Sequence, residues 1–140
     1  MRDKILKYAK SQGLSIKEAG GGAYDISFNA KPNFNVTITV PFFVLEWFIS
    51  IRTSDDNNGI YSDCCEHNYG DKSETKFDEE MEEAVINSLK ALNNADIRIT
   101  KTSLFHLFKW RFFKRKILEV KMDAGWVNFW ELAFSTFKND

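Results

Sequence analysis

The feature that most constrains the fold of this chain is a strict alternation between residues 24 and 40. Tyr24, Ile26 and Phe28 alternate with Asp25, Ser27 and Asn29, and Phe34, Val36, Ile38 and Val40 alternate with Asn35, Thr37 and Thr39. A period of two puts every second side chain on one face, which is the signature of half-buried strands. Lys31-Pro32-Asn33 is the only break, so the two runs form an antiparallel hairpin. Pro41 ends the second strand. Phe42 to Ile51 is then nearly continuous in apolar residues and reads as a strand covered on both faces.

Helices flank this β region. Asp3 to Gln12 places Ile5, Leu6 and Ala9 on one face with Tyr8 beside it, and Gly13 suits the position after a helix end. The strongest helical segment is Phe77 to Leu92. Asp78, Glu79, Glu80, Glu82 and Glu83 crowd its first turns, where the helix dipole favours acids. Met81, Ala84, Val85, Ser88, Leu89 and Leu92 make its inner stripe. Asp96 to Thr100 reads as a short strand. Leu118 to Met122 and Trp126 to Phe134 read as a hairpin around Asp123-Ala124-Gly125. Residues 103–113 fit helix and strand equally well. Without repeats or low-complexity linkers, residues 1–140 are expected to form a single α+β domain. Its antiparallel sheet should hold about five to six strands packed on one or two helices.

Between the third strand and the main helix, Thr53 to Lys76 is long and polar. Asn58-Gly59 is a turn signal that would return Ile60 and Tyr61 as a short strand. Loops of this length inside a domain are commonly functional. Charge is segregated here. Ser54 to Glu83 carries eleven Asp/Glu against two Lys, and Ala84 to Met122 carries nine Lys/Arg against two Asp/Glu, although the whole chain is only −1.

Gly20-Gly21-Gly22 lacks the Lys-Ser/Thr of a phosphate-binding loop and fits a flexible turn. Cys64-Cys65-Glu66-His67 offers soft ligands, but adjacent cysteines diverge and no second ligand pair exists, so no metal or cofactor is expected. Asp55 to Glu66 has the length of a calcium loop, with its glycine at the fifth position instead of the sixth. Lys109-Trp110-Arg111-Phe112-Phe113-Lys114-Arg115-Lys116 interleaves cations and aromatics as single-stranded nucleic-acid binders do. The overall charge of −1 and the pI near 6.1 argue against that use. Absence of a secretory leader, of a long apolar span and of a cysteine framework points to a cytoplasmic chain with no membrane attachment. With no catalytic constellation, a non-enzymatic binding protein is the expectation. Its acidic segment should attract a basic protein partner, with Asp63, Glu66, Tyr69 and Asp71 as contacts.

Ser62-Asp63-Cys64-Cys65-Glu66-His67-Asn68-Tyr69-Gly70 resembles the Asp-Trp-Glu-His-x-Tyr-Gly stretch of some immunity proteins from bacterial polymorphic-toxin and contact-dependent-inhibition systems. Cys65 stands where those have Trp, and the likeness covers about nine residues. It implies a protein that binds and blocks a cognate toxin. The order helix, three strands, helix, two strands is also similar to type III secretion chaperones, which hold unfolded effector segments. A small hydrolase using a metal in the acidic loop is the enzymatic alternative.

Overall fold

The computed structural model describes residues 2–42, 46–53, 59–66, 74–103 and 114–134. Along the chain, α1 (Arg2–Ser11) is followed by β1 (Ser15–Glu18), β2 (Tyr24–Ala30), β3 (Phe34–Val40), β4 (Glu46–Thr53) and β5 (Gly59–Glu66). Then come α2 (Glu74–Asn94), β6 (Ile97–Ser103), β7 (Lys114–Met122), β8 (Gly125–Asn128) and α3 (Phe129–Ala133). All strand pairs within the two sheets are antiparallel. A five-stranded sheet has the order β1-β2-β3-β4-β5, and a three-stranded sheet has the order β6-β7-β8. The α+β class with an antiparallel sheet read from the sequence is the class observed.

The alternating runs become β2 and β3 in the expected register, with Ile26 opposite Ile38 and Phe28 opposite Val36. Ile26, Val36, Ile38 and Val40 are fully buried against the helices. The ending of α1 follows from Gly13. At φ +70° it takes the left-handed conformation that a β-carbon disfavours. Its N–H donates to the Lys10 carbonyl and that of Leu14 to the Ala9 carbonyl, which closes the helix as a Schellman motif. The stripe expected on α2 is the buried one: Met81, Ala84, Val85, Ser88, Leu89 and Leu92 are all within 2 % exposure. The Ser88 hydroxyl is satisfied locally, donating to the Ala84 carbonyl at 2.7 Å.

Four local expectations change. β4 is covered on one face only: Trp47, Ile49 and Ile51 point into the core, whereas Glu46, Phe48, Ser50 and Arg52 point outward. The apolar run hid an ordinary alternation because Phe48 is apolar yet faces solvent. The short strand expected at Ile60 and Tyr61 extends to eight residues. The segment Trp126–Phe134, expected to be one strand, divides at Asn128. The Asn128 side chain accepts from the Trp130 N–H at 2.9 Å and caps α3, which begins at the next residue. β1, finally, had no sequence signal, because only Ile16 of its four residues is even half-buried. Residues 104–113, which left helix and strand open, lie outside the described residues.

The two sheets meet where Ile97 N–H donates to the Lys31 carbonyl at 2.9 Å, next to a parallel bridge between Lys31 and Asp96. One cluster of buried residues runs through both sheets and all three helices, from Ile5 and Ile26 to Leu118 and Phe129.

Candidate partner-binding surface

Among the described residues, the helices pack on one face of the five-stranded sheet, where its buried side chains lie, and leave the other open. Register fixes what the open face displays. Ser15, Ser27, Thr37, Ser50 and Ser62 fall in one row across all five strands. The row beside it is Lys17, Asp25, Thr39, Phe48 and Cys64. Polar groups in these rows satisfy one another: the Ser27 and Thr37 hydroxyls are 3.1 Å apart, and the Thr39 hydroxyl donates to the Asp25 carboxylate at 2.6 Å. Phe48 is the large apolar side chain in this setting, at 39 % exposure. Phe42, just beyond β3, is 58 % exposed and packs against the backbone of Gly22. At Gly22 φ is +81° and an added β-carbon would lie 3.1 Å from the Phe42 ring, so the glycine turn doubles as a seat for that ring.

Asp63 lies on the opposite, inward face of β5, opposite Ile49. It is half-buried and both carboxylate oxygens are engaged. Oδ2 accepts from the Tyr61 hydroxyl at 3.1 Å, and Oδ1 accepts from the Cys64 N–H at 2.8 Å. Tyr61 in turn accepts from the Trp130 indole N–H at 3.0 Å. Trp130 packs among Trp47, Phe129 and Phe134 with ring centroids 5.3, 4.9 and 6.5 Å away. A polar chain therefore runs from the aromatic core beneath α3 to the margin of β5 and ends on Asp63. Sequence reading placed Asp63 among solvent-facing contacts; the Trp130–Tyr61–Asp63 link was not visible because it joins residues 69 positions apart.

Glu66 closes β5 in register with Glu46. Tyr69 and Asp71 lie outside the described residues, as do Asp55, Asp56 and His67. The structure thus brings Asp63 and Glu66 onto one strand and does not place the other two expected contacts. Cys64 is exposed and Cys65 half-buried, and neither is in a disulfide. Among the described residues, no group of three or more His, Cys, Asp or Glu side chains could hold a metal ion. No described helix is long and apolar enough to cross a membrane.

Of the basic segment, only Lys114, Arg115 and Lys116 are described, at the start of β7. Lys116 reaches back to the other sheet, its ammonium donating to the Ile60 carbonyl on β5 at 2.6 Å. Arg98 is held on the outside of the small sheet by Glu119 at 3.0 Å and by the Trp126 ring at 4.3 Å. Away from these surfaces, Asn87, Lys90, Asn94, Met122, Asp123 and Leu132 line an open cleft of about 420 Å³ between α2, α3 and the β7–β8 turn.

No protein-family model, no curated protein and no solved structure matches this chain.

Proposed function

We propose that this chain is a non-enzymatic binding protein that docks a basic protein partner on the β4–β5 end of its open sheet face. In its specific form it is an immunity protein that neutralises a cognate toxin in the cytoplasm. The observation that carries the reading is Phe48. An aromatic ring 39 % exposed in mid-strand, with Glu46 two residues ahead on the same face, has the composition of an interface anchor. Polar neighbours that already satisfy one another cost little to desolvate. Of the expected contacts that follow β5 in the chain, Asp71 would add to charge complementarity and raise the association rate, and Tyr69 would add an aromatic contact.

Asp63 takes a different part in this proposal from a direct contact. Because it terminates the Tyr61 link, it positions β5, and reversing its charge would disturb the fold along with the interface. The decisive variants are therefore Phe48→Ala and Glu46→Lys, both at exposed positions. The immunity reading expects a toxin gene beside that of this chain, and production of the chain together with that toxin domain is expected to protect growth. Phe48→Ala is expected to weaken the complex by ten-fold or more, as truncated anchors do, and Glu46→Lys mainly to slow its formation. Full protection and unchanged affinity in both variants would move the interface elsewhere. Absence of any protection would end the immunity reading.

A further inference from the structure

Helices α1 and α2 meet over a carboxyl group that is poorly satisfied. Glu82 sits on the third turn of α2 with its side chain 7 % exposed. Its Oε1 lies 3.9 Å from the Lys4 ammonium of α1, too far for a hydrogen bond. Its Oε2 is buried and has no hydrogen-bond partner. The Lys4 side chain is 78 % exposed, so its charge is largely spent on water. Ile5 and Ala9 of α1 and Met81 and Val85 of α2 are buried members of one apolar cluster where the two helices meet.

On ionisation Oε2 therefore carries charge without hydration and without a hydrogen bond. Burial accordingly pushes the Glu82 carboxyl above the usual carboxylate range. Lys4 and the N-terminal ammonium of the chain pull it back down, while Asp3 on α1 and Glu79 on α2 add to the rise.

We propose that Glu82 is a proton-dependent latch between α1 and α2: the neutral acid keeps α1 seated on α2, and the carboxylate loosens it. The balance is one proton, taken from solvent by Glu82 as α1 seats and returned as it lifts. No bond is made or broken elsewhere, and no other ligand is needed. The latch is independent of the partner proposed above. It would make the seating of α1 respond to acidification of the compartment.

Hydrogen exchange of the α1 amides from Ile5 to Ala9, corrected for the intrinsic pH dependence of exchange, tests this directly. Protection is expected to be at least about three-fold higher at pH 4 than at pH 8. Glu82→Gln should keep the acid-level protection at both pH values. Lys4→Met, which leaves the buried site intact, should move the transition to higher pH, because it removes the charge that favours the carboxylate. The side-chain carboxyl resonance of Glu82 should titrate with the same midpoint. Equal protection at both pH values, a step that survives in Glu82→Gln, or an unmoved midpoint in Lys4→Met would each overturn the latch.

Discussion

Among the described residues, two sites that set polar groups beneath a helix do so in opposite ways. Beneath α3, the Trp130 indole N–H, the Tyr61 hydroxyl and the Asp63 carboxylate form a continuous chain that ends at the half-exposed margin of β5. Between α1 and α2, Glu82 has one oxygen facing a distant, solvated ammonium and one oxygen facing nothing polar. The first arrangement fixes a geometry, since each member has a donor or acceptor that only one placement satisfies. The second leaves a cost in place, and the cost depends on whether the group is charged. The comparison teaches that burial alone does not predict what a polar residue contributes; the completeness of its partners does.

The sharpest way to break the α3 side of this comparison is to remove its packing. Trp47 is fully buried and touches Phe129 and Trp130, with ring centroids at 6.4 and 5.3 Å. Trp47→Ala is expected to cost about 3–5 kcal/mol in urea unfolding. A loss under about 1 kcal/mol would mean that the cluster does not hold β4 to α3. Tyr61→Phe is a smaller cut. It keeps the ring and deletes the hydroxyl between Trp130 and Asp63. The expected loss is about 1–2 kcal/mol, because the indole N–H is left without its acceptor. Trp130 fluorescence should change with it, and an unaltered stability would show that the hydrogen-bond chain is incidental to the packing.

The smallest effect lies on the Glu82 side and has the opposite sign. An acid whose folded-state pKa is raised binds its proton more tightly in the native state than in the unfolded one. Stability from this group is therefore present in acid and is lost as pH rises from the ordinary glutamate range through the elevated folded value. Glu82→Gln removes the charge and should be more stable than the parent chain at pH 8, by on the order of 1 kcal/mol. The two should converge toward pH 4. Parallel stability curves across that range would show that the buried oxygen carries no penalty.

Much of the fold was legible in the sequence, and the parts that were not share a reason. β2, β3 and the inner stripe of α2 could be read residue by residue, because periodicity and burial agree there. β1 could not, since an edge strand with one half-buried residue has nothing to alternate. Phe48 looked like core for the opposite reason: hydrophobicity says what a side chain prefers and not which face of the sheet it occupies. In Trp126–Phe134 the aromatics suggested a strand, and the asparagine cap that starts α3 carried the information instead. Glu82 was counted with the solvated acids at the head of α2. Its burial depends on where α1 docks, which no local pattern contains. Of the candidate site, the acidic character of β5 was readable, while the engagement of Asp63 by Tyr61 and Trp130 was not.

The meander order of the strands bears on how the chain finds this structure. Every strand in either sheet pairs only with its neighbours in the chain. The three connections described from end to end, β1–β2, β2–β3 and β7–β8, are short hairpins, for which the entropy of closing a loop is small. Long-range search is left to a few joints, chief among them the Ile97 N–H on the Lys31 carbonyl, which ties the start of the second sheet to the tip of the β2–β3 hairpin. Pairing between chain neighbours keeps contact order low within each sheet, and low contact order goes with fast folding; the joint at Ile97 and Lys31 is the contact that has to be found over distance.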